Sequence, residues 1–180
     1  MRWLFTGPRG VGKSTLVSAL KDTYAVEWCG FLSTFRPGSP GIRVLEAHCL
    51  PSRHTFRLAQ QLEPRRRLVP DFDGMAALAR ELEHMGHIWE ADRGFFFDEV
   101  GFLETLHAGL QDAIWNALNR FEVVLGTVRQ MDTPFLRRIQ DRNDLQLFAL
   151  TRENRDSVFQ QCHQWVQNGG KEMGRCKKSY

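Results

Sequence analysis

Residues 7–15 read Gly-Pro-Arg-Gly-Val-Gly-Lys-Ser-Thr and fit the pattern G-x-x-x-x-G-K-[ST] at Gly7, Gly12, Lys13 and Ser14. Each residue type has a chemical reason. Glycines let the main chain turn tightly, so that successive amides converge on one concavity. A helix beginning at the end of such a turn adds free N-terminal amides and its positive dipole end. Lys13 then brings a point charge to the β and γ phosphates, the Ser14 hydroxyl is a ligand type suited to Mg²⁺, and Thr15 lies within reach of the α phosphate. Pro8, Gly10 and Val11 complete the loop. Arg9 either touches phosphate or points outward. The ligand this segment predicts is a nucleoside triphosphate with Mg²⁺.

A second constellation follows in the middle of the chain. Phe95-Phe96-Phe97 is an apolar run that ends in Asp98-Glu99. A carboxylate at a strand end beside a phosphate loop can hold Mg²⁺, which gives Asp98 its role, and the next carboxylate can orient or deprotonate the attacking water, which gives Glu99 its role. Adjacent residues of an extended chain point to opposite sides, so the chain must curl at Glu99, helped by Gly101. Asp98-Glu99-Val100-Gly101 also reads as the D-x-x-G switch of GTPases. The guanine-reading N-K-x-D element of those proteins has no match, since Asn154-Arg155-Asp156 lacks the lysine and is one residue short. Hydrolysis through Glu99 is therefore the favoured reading. Arg129 follows a strand end near the same place and is either a γ-phosphate neutraliser or a surface arginine. Glu104 either supports Glu99 or stabilises a helix start. His84 and His87 lack a third ligand at zinc spacing.

The elements that must position these groups alternate. Strands are expected at Trp3–Thr6, Val26–Leu32, Phe121–Gly126 and Leu145–Leu150, with a shorter one at Gly94–Phe97. Helices are expected at Thr15–Lys21, Asp73–Met85, Thr105–Asn119, Pro134–Asp141 and Asn154–Gln167, from their apolar spacing. Ile42–Leu50 and His54–Gln61 flank Pro51-Ser52-Arg53 as an antiparallel hairpin, and Arg36–Gly41 and Pro64–Pro70 read as loops. This order predicts an α/β fold of the P-loop NTPase type, a three-layer sandwich with a mainly parallel sheet and an antiparallel edge extension. Ligands of such sheets bind beyond the carboxyl ends of the strands, where both motifs fall.

Five motifs in order now support a family resemblance. GPRGVGKST opens the chain. Gly30-Phe31 with Thr34, Asp98-Glu99-Val100-Gly101 with Glu104, Leu125-Gly126-Thr127, and Leu147-Phe148 to Thr151 followed by Asn154-Arg155-Asp156 come after it. Together they resemble the small nucleoside-triphosphatase family first described from thermophiles and related to the human cancer-related nucleoside-triphosphatase. That resemblance implies Mg²⁺-dependent hydrolysis of several nucleoside triphosphates to diphosphates. It implies Asp98 as the magnesium carboxylate, Glu99 as the water-activating one, and Asn154 and Arg155 near the base or ribose; Arg155 either stacks on a base or forms a helix-start salt bridge with Asp156 or Asp144. The chain departs from the family pattern in its Pro- and Gly-rich stretch from Thr34 to Arg43, in Ser14 for a more frequent Thr, in Leu103 for a usual Met, and in the bulky triple phenylalanine.

Composition narrows the alternatives. The 180 residues are expected to form a single domain, with 13 Phe and 5 Trp to build its core. A net charge of +3 is too mild to indicate nucleic acid by itself. Arg65-Arg66-Arg67 and the tail at 170–180 are read as solvated or mobile basic segments. The 4 cysteines show no C-x-x-C spacing and read as reduced thiols. No run of 18 apolar residues exists, so no membrane partner is expected and the protein is read as cytoplasmic; the oligomeric state is left open, with a monomer favoured. Two other functions stay in view. One is a nucleoside or nucleotide kinase. The other is a nucleotide-gated module for RNA or protein, for which only the basic clusters speak.

Overall fold

The computed structural model describes residues 1–65, 67–88 and 93–168. The basic tail, Cys176 and the central arginine of the 65–67 cluster lie outside the described residues. Eight strands form one sheet in the order β5-β4-β3-β2-β6-β7-β1-β8. Five of them are parallel: β1 (Arg2–Thr6), β2 (Trp28–Pro37), β6 (Gly94–Val100), β7 (Val123–Val128) and β8 (Gln146–Ala149). The other three, β3 (Ile42–Leu50), β4 (Thr55–Leu62) and β5 (Arg67–Pro70), extend the sheet antiparallel from β2.

Alternation along each strand sends side chains to two separate cores. Leu4, Phe95, Phe97, Val124 and Val128 meet α2 (Phe72–Ile88), α3 (Ala108–Arg120) and α4 (Pro134–Gln140) on one face. Trp3, Phe5, Phe96 and Leu125 meet α1 (Lys13–Thr23) and α5 (Arg155–Gln167) on the other. This is the expected three-layer sandwich. The triple phenylalanine is buried throughout, with Phe95 stacked on Phe121 and Phe97 on Phe31. Its bulk is accommodated at Gly126, where a Cβ would lie 2.5 Å from the Phe97 ring.

Three expectations need correction. The segment read as a loop from Pro64 to Pro70 contains the edge strand β5. Prolines and arginines hid it, but an outermost strand pairs on one side only, so Pro70 needs no amide there, and charged residues suit an edge. Strand β2 runs five residues beyond Leu32, through Pro37, because β3 pairs with it as far as Arg43. The helix expected from Thr105 begins at Ala108. Its N-cap is His107, whose Nδ1 accepts from the Leu110 amide at 3.0 Å, and a separate 3₁₀ turn at Glu104–Leu106 precedes it.

Phe97→Ala removes a ring packed against Phe31 and Phe95, and is expected to lower stability by about 3–5 kcal/mol in urea unfolding, as for other buried aromatic truncations.

Candidate active site

Strand β1 is buried from Trp3 to Thr6 and delivers the chain into the glycine loop at its carboxyl end. Gly7 has φ +143°, and a Cβ there would stand 2.4 Å from the Leu150 carbonyl oxygen at the end of β8. No other residue fits that approach. Gly12, at φ +106°, is the N-cap of α1 and has no side chain to occupy the first amides of the helix. The start of α1 is therefore presented as an anion-binding end. Val11 is buried in the α1 core and anchors the loop. Lys13 is only 7% exposed, and its Nζ donates to the carbonyls of Gly7 and Pro8 at 3.0 and 3.1 Å. The ammonium is thus held within the loop's own curve. Ser14 and Thr15 are exposed on the first turn of α1.

The acidic pair lies two strands away, at the end of β6. The β6–β7 register shifts between Phe97 and Val100, which supplies the curl expected at Glu99. Asp98 and Glu99 are both half-buried. Asp98 accepts a hydrogen bond from the Thr127 hydroxyl. Thr127 is fully buried on β7, the strand between β6 and β1, opposite Phe5. It fixes one oxygen of the Asp98 carboxylate against β7. Sequence reasoning passed over this residue except as part of a Leu-Gly-Thr pattern, and a hydroxyl in an otherwise apolar strand was the available signal.

A cleft of about 380 Å³ joins the two motifs. Gly7, Pro8, Arg9 and Lys13 line one end, and Glu99, Gly101, Glu104 and Arg129 line the middle. Arg129 is not a free surface arginine: its Nε lies 3.6 Å from Glu99 Oε1, and its stem lies against Gly101. Glu104 is 3% exposed, and its Oε2 accepts from the Gly101 amide at 2.7 Å. Burial pushes its pKa above the ordinary carboxyl value, against the pull of the Gly101 amide and Arg129. Glu104 therefore braces the turn that carries Glu99.

Asn154 and Arg155 lie on the other side of the loop. Asn154 holds the turn after β8, accepting from the Thr151 amide at 2.8 Å and donating to the Ala149 carbonyl at 2.9 Å. The Arg155 stem lies beside Gly12, about 4.0 Å from where a Cβ would be, and its head pairs with Asp156 at 3.4 Å. No group of three or more Cys, His, Asp or Glu suited to a metal occurs among the described residues. Ser14 and Asp98 are hard oxygen donors, and a Mg²⁺ that keeps phosphate and water oxygens needs only one or two from protein. The residues present fit that ion. No helix among the described residues is long and apolar enough to cross a membrane.

A glycine loop between β1 and α1, a parallel sheet, and carboxylates at the end of a neighbouring strand define a P-loop nucleotide-binding protein. The family model described as NTPase matches residues 74–163, half of the chain, including the acidic pair. The chain belongs to this NTPase family. It is similar to nucleoside-triphosphatase THEP1 of Thermotoga maritima, with 24% identity over 167 residues, covering 88% of this chain and 91% of that one. The THEP1 of Thermotoga sp. (strain RQ2) is 25% identical over 166 residues, with the same coverage of 88% and 91%. The crystal structure of THEP1 from the hyperthermophile Aquifex aeolicus shares the fold at a TM-score of 0.69 and 22% identity, covering 89% of this chain and 95% of that one.

A glutamate buried neutral stabilises the fold while the unfolded chain's glutamate is also neutral. That contribution fades as pH rises from roughly 4.3, the unfolded value, through the raised folded value. Urea unfolding from pH 4 to 8 is expected to show the wild type losing stability relative to Glu104→Gln as pH rises. Parallel curves would contradict it.

Proposed function

We propose that this chain hydrolyses nucleoside triphosphates to diphosphate and phosphate, depends on Mg²⁺, and discriminates weakly among bases. One observation carries the reading: the glycine loop with Lys13 shares a single cleft with Glu99 and Arg129. Loop amides and Lys13 hold the β and γ phosphates. Glu99 orients the attacking water and takes its proton. Arg129, already turned toward Glu99, offsets charge developing on the γ phosphate. Ser14 and Asp98 would hold Mg²⁺, which when bound would neutralise charge on the β and γ phosphates. Arg9 lines the cleft and is assigned to the outer phosphate oxygens.

The base is assigned to the β8–α5 side, where Asn154 shapes the turn and the Arg155 plane offers a stacking surface. Stacking accepts any base, which supports broad specificity. The named relatives are nucleoside-triphosphatases, in keeping with this activity. Cys29, Cys49 and Cys162 are buried free thiols, each with its pKa pushed up to about 12 by burial, and a reducing, cytoplasmic setting suits them.

Phosphate release from ATP, GTP, CTP and UTP tests the assignment. Glu99→Gln is expected to bind nucleotide normally and lose about 10²–10⁴ in kcat, the usual contribution of a positioned base. Unchanged turnover removes Glu99 from its role. Lys13→Ala is expected to weaken both binding and turnover, and chelating the metal with EDTA to stop release for all four nucleotides.

A further inference from the structure

The cleft does not end at Glu99 and Arg129. It runs on over the antiparallel part of the sheet, lined by Ser33, Phe35, Arg43, Leu45, Gln61 and Leu68. Strand register places them together: Phe35 stands opposite Leu45, Arg43 opposite Gln61, and Gln61 opposite Leu68. By alternation this is the face that carries Phe31, Ala47 and Ala59 into the core with α2. The outer cleft occupies the stretch of that face left open beyond the helix.

On the placement given under Proposed function, a triphosphate with its γ phosphate between Lys13 and Glu99 would direct its base past Thr15 toward Arg155, on the β8 side, and would leave this space open. Strands β3 to β5 lie at the opposite end of the sheet. The outer cleft therefore lies beyond the γ phosphate, where a phosphoryl acceptor would approach in line. Its lining is also built for recognition. Phe35, Leu45 and Leu68 give an apolar floor. The Arg43 guanidinium stacks over the Phe35 ring at 4.8 Å and presents a flat cation. Gln61 offers a donor and an acceptor side by side, the pair that reads the edge of a purine. The Ser33 hydroxyl is buried and has no hydrogen-bond partner among the described residues.

We propose that the outer cleft binds a nucleoside as a second substrate and that the chain transfers the γ-phosphoryl group to its hydroxyl. This rests on the placement of the γ phosphate given under Proposed function. The nucleoside ring lies on the apolar floor against Arg43, its edge bonds to Gln61, and its hydroxyl faces Glu99. The hydroxyl oxygen forms the new bond to the γ phosphorus and Glu99 takes its proton. The bond from that phosphorus to the β–γ bridging oxygen breaks, and the diphosphate leaves with the electron pair. The products are a nucleoside monophosphate and a nucleoside diphosphate. Hydrolysis is the same step with water in the acceptor's place.

The test incubates the full chain with Mg²⁺, γ-labelled ATP and, in turn, adenosine, guanosine, cytidine, uridine and thymidine. Chromatography then separates labelled nucleoside monophosphate from labelled free phosphate. Label is expected in at least one nucleoside. Gln61→Leu and Arg43→Ala are each expected to reduce that product about tenfold, the loss of one hydrogen-bonded or stacked contact, while phosphate release without nucleoside stays within about twofold. Absence of labelled nucleotide with every nucleoside overturns the proposal, whatever the hydrolysis rate. Free phosphate in the same samples tells separately whether the hydrolytic reading has failed. A fall in nucleoside-free phosphate release in Gln61→Leu also overturns it, because the residue would then serve the triphosphate itself.

Discussion

Holding three or four negative charges against a protein surface requires donors that cannot be lost and need no reorganisation, and in the function proposed above the main chain of the glycine loop supplies them. The loop between β1 and α1 keeps its course because Gly7 and Gly12 hold backbone conformations that a side chain would strain or block. The rest of the structure answers to that arrangement. Buried β1 fixes where the loop begins, Val11 ties it to the α1 core, and Lys13 places its single charge inside the curve. A charged group so enclosed is tolerable because two carbonyls accept its protons.

Around this fixed grip, the acidic residues are positioned by a chain of small contacts. Thr127 bridges from β7 to Asp98, the register shift after Phe97 turns Glu99 into the cleft, and Glu104 holds the Gly101 amide beneath it. Each is a local interaction of ordinary strength. Their combined effect is to hold Asp98 on Thr127 and to set Glu99 in the cleft beside Arg129.

Much of this was legible in the sequence, for identifiable reasons. The loop and the acidic pair are contiguous runs whose residue types follow from chemistry, and each sits where an apolar strand ends. The parallel sheet followed from alternating periodicities. What stayed hidden depended on partners distant in the chain. Strand β5 has the composition of a loop and exists because β4 offers it an edge. The ion pair of Arg129 with Glu99 joins the residue just past β7 to β6. Thr127 looked like one more residue of a buried strand. The outer cleft arises from side chains on four strands that meet only through register, so no spacing along the sequence announces it.

The contact of Gly7 with the Leu150 carbonyl has a mechanical meaning. Because the two backbones touch with no side chain between them, the phosphate loop and the end of β8 cannot slide past one another. They behave as one stiff jaw. The opposite wall is held differently: the turn after β6 meets its neighbours through side chains, with Glu104 bonded to the Gly101 amide and the Arg129 stem lying against Gly101.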